Sequence, residues 1–153
     1  MNYNLKFEEN KPLSDLTTFR VGGAAKYFFQ PRNYDESIEA VQFAQANQLR
    51  FFILGGGSNI LFSDEGFDGL VIKPKIDFFD FITAEDSNET SATFSADFSL
   101  AKAVNLFEEM ELAGLAWAAG IPGTVGGAVV GNAGAFGGQI ADNVIGVKAY
   151  DIK

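Results

Sequence analysis

The sequence predicts an α+β fold of two small lobes, and three observations carry that expectation. Short apolar runs with strand character alternate with two helix-length segments that open on capping residues. Two glycine-dense stretches follow apolar runs, where loops belong. The length, 153 residues, suits one domain or two small lobes. The expected division is residues 1–73 and 74–153, with the lobes meeting near the glycine-rich loops.

The elements follow in order. Ala24 to Phe29 reads as a strand that Gln30-Pro31 ends. Asn33-Tyr34-Asp35-Glu36 has the form of a capping box, Asn33 accepting from the first turn and Glu36 reaching back. The helix it opens, over about residues 34 to 48, puts Ile38, Val41, Ala44 and Leu49 on one face. Phe51-Phe52-Ile53-Leu54 suits a fully buried strand. Leu70-Val71-Ile72, Ile76 to Ile82 and Thr90 to Ala96 read as further strands, with a polar turn over Thr83 to Glu89. A second helix is expected from Ser99 to about Leu112, with Leu100, Val104 and Phe107 on its stripe. Asp97 or Ser99 would cap it, and Gly114 would supply a left-handed C-terminal residue. Val144 to Ile152 reads as a last strand with an open edge through which copies of the chain could pair.

Composition removes several chemistries. There is no cysteine and no histidine, so thiolate catalysis, disulfides, the usual Cys/His zinc sites and Ser-His-Asp triads are excluded within this chain. A chain without cysteine fits a reducing cytoplasm. The formal charge is −9, and the basic residues are scattered, which argues against nucleic acid or an anionic membrane as partner. The start, MNYNLKFEEN, lacks the apolar run of a signal peptide. Leu112 to Ala141 runs 30 residues without a charge, but it holds nine of the 17 glycines and Pro122, too many breakers for a membrane helix. Glu108, Glu109 and Glu111 read as a solvated helix face, because no nearby ligand completes a metal site. The phenylalanines read mostly as core filling, and Trp117 as packing between the lobes, with stacking on the flat ring of a ligand as the alternative.

The two glycine loops carry the functional signal. Leu54-Gly55-Gly56-Gly57-Ser58-Asn59-Ile60 follows an apolar strand. Consecutive glycines reach positive φ and can aim several N–H groups at one anion, and a phosphate held that way needs no lysine. A tight solvent turn is the plain alternative. No Gly-Lys-Ser/Thr follows, and no stretch matches G-x-G-x-x-G, so the P-loop and the dinucleotide fingerprint are both missing. The second stretch, Gly120 to Gly138, contains Gly123-Thr124-Val125-Gly126-Gly127 and then Asn132-Ala133-Gly134-Ala135. It suits a short helix whose bare face presses on a ligand or a sheet, its N-terminus offering N–H donors to an anion. Close packing without a ligand is equally compatible with that stretch alone. Together the loops favour a ligand with an anionic centre and a large apolar part.

The order Thr17-Thr-Phe-Arg-Val-Gly-Gly23, Leu54-Gly-Gly-Gly-Ser-Asn-Ile-Leu61, Gly120-Ile-Pro-Gly-Thr-Val-Gly-Gly-Ala128 and Asn132-Ala-Gly-Ala-Phe-Gly137 resembles the UDP-N-acetylenolpyruvoylglucosamine reductase (MurB) family. The resemblance implies the two-lobed FAD-binding fold of the vanillyl-alcohol-oxidase (PCMH-type) kind, here truncated, and a bacterial cytoplasmic enzyme of peptidoglycan precursor synthesis. Hydride would pass from NADPH through FAD to the enolpyruvyl group of a UDP-sugar, giving UDP-N-acetylmuramate, with the protein orienting the cofactor. It implies that Gly55, Gly56, Gly57, Ser58 and Asn59, with Thr124, Val125, Gly126 and Gly127, hold the FAD diphosphate. Asn132, Gly134 and Ala135 would lie along the flavin, and Leu54 and Ile60 against the cofactor's apolar surface.

Members of that family are considerably longer. The Tyr-Arg-x-Ser segment with their catalytic arginine, a later serine and glutamate, and their substrate-binding domain have no counterpart in the 153 residues. No catalytic residue is therefore assigned here. Arg20 belongs to a different motif and reads as an exposed loop residue. Ser95-Ala96-Asp97 stands where the family has a glycine-containing turn, and Gly131 where a larger residue is common. Two other readings stand beside this one: a non-catalytic nucleotide-binding or interaction module, and another flavin oxidoreductase of the same fold.

Overall fold

Asn33 starts the first helix through its side chain, Oδ1 accepting the Glu36 N–H at 2.8 Å. Glu36 answers one residue further out than a regular capping box requires: its Oε2 accepts the Arg32 N–H at 2.8 Å, while Oε1 accepts from the Asn33 side-chain amide. The structure, a computed structural model, describes residues 5–83 and 90–152. These form two compact units, the described residues of Met1–Ile76 with Lys148–Lys153, and Asp77–Val147.

In the first unit, β1 (Glu8–Pro12), β2 (Ala24–Phe29), β3 (Phe51–Ile53) and β4 (Phe67–Ile72) make one sheet in the order β1-β2-β4-β3. β1 runs antiparallel to β2, whereas β2, β4 and β3 are mutually parallel neighbours. Leu70, Val71 and Ile72 in the central strand are fully buried. The run at 51–54 is not fully buried as expected, because β3 is an edge strand. Ile53 is 50% exposed, and only Leu54, just past the strand, goes inside. Helix α1 (Tyr34–Ala46) covers one face by burying Ala40, Val41 and Ala44 with Leu70 and Ile72. Ile38, expected on that stripe, is only half-buried, and the smaller Ala40 takes the position against the sheet.

In the second unit, β5 (Phe79–Thr83) pairs antiparallel with β6 (Thr90–Phe94). β5 begins three residues later than expected, and all but Thr83 of the expected polar turn lies outside the described residues. Helix α2 (Leu100–Glu109) is capped by Ser99, whose Oγ accepts the Lys102 N–H at 3.3 Å. Asp97 has a different task, Oδ2 accepting the Asp77 N–H at 2.9 Å. Helix α3 (Val125–Val130) and a small hairpin of β7 (Gly134–Ala135) and β8 (Gly138–Gln139) complete the unit. Phe98, Leu100, Ala103, Val104, Leu115, Ala118, Ala128 and Ile140 form its buried core. Trp117 lies within this unit, its ring against Gly138 and its Nε1–H donating to Asn143 Oδ1 at 2.9 Å. Phenylalanine is less uniformly core-filling than the sequence suggests, since Phe19 is 59% and Phe136 93% exposed.

All three helices end in the same way. Gln48, Glu111 and Asn132 take positive φ of 53°, 55° and 43° just beyond α1, α2 and α3. Leu49, Leu112 and Ala133 then return their N–H groups to Ala44, Phe107 and Ala128, while the left-handed residues bond Gln45, Glu108 and Val129. These are Schellman closures built without glycine. Gly114, expected to terminate α2, lies three residues beyond Glu111, which holds that place.

The expected last strand does not form. Residues 144–152 pair with no strand among the described residues; instead Ile152 O accepts from Gln45 Nε2, and Tyr150 Oη accepts from Gln42 Nε2. Of these two acceptors only the Ile152 carbonyl is a backbone group that a sheet ladder would use.

Candidate functional site

The glycine loop leaves β3 at the carboxyl end of three parallel strands, the end at which open α/β sheets place ligands. Leu54 N–H still bonds Ile72 O at 2.8 Å, so the sheet holds the chain up to the first glycine. Two donors then fix the loop from behind. The Gly55 carbonyl accepts from Lys73 Nζ, and the Gly57 carbonyl accepts the Thr18 N–H at 3.0 Å. Lys73 is within reach because Ile53 pairs with Ile72, which sets residue 73 beside residue 54, and the Lys73 N–H is itself held by Phe29 O at 2.9 Å.

The consequence is geometric. No described peptide is cis, and in a trans peptide the C=O and the following N–H point in opposite directions. Drawing the carbonyls of Gly55 and Gly57 toward Lys73 and Thr18 turns the N–H groups of Gly56 and Ser58 to the other side. Each of these two N–H groups is thus turned away from the donor that holds its peptide's carbonyl.

Gly57 is required for this turn. Its φ is +71°, and a Cβ there would lie 2.1 Å from Leu16 O and 3.1 Å from Thr17 Cα. The Thr17–Gly23 motif is therefore the rear wall of the glycine loop. Gly23 N–H bonds Ser63 O at 2.8 Å, and a Cβ on Gly22 would meet Phe62 at 2.9 Å. Thr17 itself is buried, and its hydroxyl bonds nothing among the described residues. A buried orphan hydroxyl costs about 1–3 kcal/mol. The exposed Gly56 backbone and the loop N–H groups turned away from Lys73 and Thr18 fit a phosphate-bearing cofactor, while Gly57 serves the packing of the loop on Leu16.

Leu54 does not offer its side chain to a ligand. It is 1% exposed and packs in a core with Leu13, Ala25, Phe28 and Val71, and Ile60 is half-buried against the same cluster.

In the second unit the expected donors of α3 are already taken. Val125 N–H bonds Phe98 O at 2.9 Å, Gly126 N–H bonds Ala96 O at 2.8 Å, and Gly127 N–H bonds Thr124 Oγ1 at 3.2 Å. The turn at residues 95–97 makes this anchor: Ser95 Oγ accepts the Phe78 N–H at 3.0 Å, and Ala96 lies 2.6 Å from where a Gly126 Cβ would stand. Gly126 serves close packing. Gly127, Asn132 and Gly134 are exposed, and Ala135 is half-buried. Asn132 is held in its left-handed conformation by its own side chain, Nδ2 donating to Gln139 Oε1 at 2.9 Å and Oδ1 accepting the Ala141 N–H at 3.2 Å. The hairpin turns at Phe136 and Gly137, both at positive φ, 53° and 86°. The structure thus gathers Gly55–Ile60 within one unit and Thr124–Gly127 with Asn132–Ala135 within the other.

Lys73 lies outside all of the motifs, and Thr18 belongs to the Thr17–Gly23 motif and not to either glycine loop. For Lys73 the signal in the sequence was a lysine directly after the apolar run that forms the central strand.

Among the described residues no helix is long and apolar enough to cross a membrane, and no group of acidic residues could hold a metal ion.

A parallel-stranded sheet that delivers a glycine loop with its alternate carbonyls pinned behind defines a cofactor-binding domain. The family described as "FAD binding domain" matches residues 25–153, and the chain belongs to it. Within that family its likeness is to UDP-N-acetylenolpyruvoylglucosamine reductases. The chain is 44% identical over 140 residues to that of Caldicellulosiruptor saccharolyticus, covering 91% of this chain and 43% of the relative. It is 42% identical over 152 residues to that of Acaryochloris marina, covering 98% and 48%. The crystal structure of the reductase (MurB) from Thermus caldophilus superposes with a TM-score of 0.67 at 29% identity, over 90% of this chain and 46% of that one. The chain spans a little under half the length of these relatives. Its fold is the α+β FAD-binding fold, and its cofactor is FAD.

Proposed function

We propose that the chain is the FAD-binding portion of an NADPH-dependent reductase that converts UDP-N-acetylglucosamine enolpyruvate to UDP-N-acetylmuramate in the cytoplasm, during peptidoglycan precursor synthesis. The observation that carries this reading is the pinned glycine loop, seen together with the similarity to UDP-N-acetylenolpyruvoylglucosamine reductases over nearly the whole chain. FAD, when bound, supplies the hydride chemistry.

The chain's own residues bind and orient. Within Gly55–Asn59, the amides of Gly56 and Ser58 face the diphosphate, with Gly57 providing the turn that lets the backbone approach it. Thr124–Gly127 supply a close-packed glycine surface rather than free helix amides, which corrects how that segment would contribute. Asn132, Gly134 and Ala135 line the flavin side, Asn132 being stiffened by its bonds to Gln139 and Ala141. No residue of the chain is assigned a proton-transfer or hydride-orienting role, so the chain by itself is expected to bind FAD without turning over substrate.

Titrating purified apoprotein into FAD while following flavin fluorescence tests the first part, and saturable quenching is expected. A colourless protein that leaves the fluorescence unchanged would overturn it. NADPH oxidation dependent on the enolpyruvyl UDP-sugar, catalysed by this chain alone, would overturn the second.

A further inference from the structure

We propose that Lys73 is the positioning residue of the diphosphate site, acting on the anion through the backbone of the glycine loop. The inference rests on the FAD reading and adds a residue that no glycine motif contains. The Lys73 ammonium bonds the Gly55 carbonyl across the ends of β3 and β4, and its side chain is half-buried. That carbonyl shares a peptide plane with the Gly56 N–H. A cation on the oxygen orients the peptide and withdraws electron density from its nitrogen, which makes the N–H a stronger donor on the opposite face. Thr18 does the same for the Gly57–Ser58 peptide with a neutral donor.

The chain has a formal charge of −9, so a dianionic ligand approaches an unfavourable field. A lysine placed behind the loop offsets that field and leaves the exposed Gly56 backbone free of side-chain bulk at the contact surface. The Lys73 ammonium is placed on a loop carbonyl.

The test uses the whole chain and two probes, FAD and ADP, the second carrying the diphosphate without the flavin. Lys73→Met is expected to weaken both by the same factor, about tenfold or more, as for loss of a hydrogen bond to a charged group. Lys73→Arg should remain within about threefold of the wild type, and Lys73→Gln, which keeps a donor and loses the charge, should fall between. Circular dichroism reports the folded fraction of each variant; where Lys73→Met does not fold, Lys73→Gln against Lys73→Arg decides. The proposal is overturned by unchanged affinities in Lys73→Met or Lys73→Gln, by losses that track the folded fraction, or by failure of Lys73→Arg to restore binding. A wild type that binds ADP and not FAD removes the FAD reading, and the same variants still judge Lys73 on ADP. A wild type that binds neither removes both.

Discussion

Gly57 stands so close to Leu16 that a Cβ on the glycine would lie 2.1 Å from the leucine carbonyl oxygen. The contact joins the glycine loop to a segment far earlier in the chain, and it sets the loop's shape. Gly57→Ala therefore meets both a backbone clash and a positive φ of 71°. A loss of about 3 kcal/mol is expected from strain plus overpacking, with FAD binding abolished. Gly120→Ala is the control: its φ is +85°, but a Cβ there meets nothing within 4 Å. It should cost only about 1 kcal/mol. Urea denaturation of the two variants separates clash from strain, and equal losses would refute the rear-wall contact.

Helix ends offer a gain. Gln48 and Glu111 occupy left-handed positions that glycine adopts without steric penalty. Gln48→Gly and Glu111→Gly are each expected to stabilise the chain by about 0.5–1 kcal/mol, the relief of the left-handed conformation outweighing the added unfolded-state entropy. A rise in the urea midpoint at unchanged slope is the measurement.

The hairpin tip makes a similar prediction for a bulky residue. Phe136 is 93% exposed at φ +53° and is followed by Gly137 at +86°. Asparagine is the residue type that two-residue hairpins with positive φ prefer at this place. Phe136→Asn should raise stability by about 0.5–1 kcal/mol. A fall would show that the exposed ring contributes packing.

Lys26 and Asp68, on the neighbouring strands β2 and β4, form a 2.9 Å pair. The Lys26 hydrogen bond and charge hold the Asp68 carboxyl below its usual range, and Asp68 raises the Lys26 ammonium. Asp68 therefore contributes stability above its unfolded pKa that is lost as pH falls through the lower folded value, below about pH 4. The Lys26 contribution is present below its unfolded pKa and is lost as pH rises through its raised folded value, above about pH 10. Both groups are solvent-exposed, so the amplitude is small. Asp68→Asn should flatten both flanks of the stability-against-pH curve relative to wild type, and a curve unchanged at either end would show that the pair is not coupled to folding.

Local rules read the helix starts well. Asn33 and Ser99 cap as their short oxygen-bearing side chains dictate, and β2 occupies the apolar run between glycine and proline. The helix ends were not legible, because Gln48 and Glu111 are ordinary helix-surface residues, and their left-handed turn is closed by the N–H groups of Leu49 and Leu112 returning to Ala44 and Phe107. The run at 51–54 looked interior because its composition is wholly apolar; only the sheet order shows that β3 is an edge. The tail at 144–152 alternates like a strand, yet a strand requires a partner edge, and the tail pairs with none among the described residues; Gln42 and Gln45 of α1 bond the Tyr150 hydroxyl and the Ile152 carbonyl.

The same distinction runs through the site. Sequence alone determined that Gly55–Asn59 and Gly120–Gly138 are glycine-dense, uncharged and ordered as in a known family of FAD-binding reductases, because glycine content and motif order are local properties of the chain. Tertiary structure decided which amides can face an anion. The first-turn N–H groups of α3 are taken by Ala96, Phe98 and Thr124, whereas the carbonyls of the glycine loop are drawn back by Lys73 and Thr18. A peptide donor is available only when its other partners are placed elsewhere, and those partners here come from the end of β4 and the turn before β2, which no reading of the loop by itself contains.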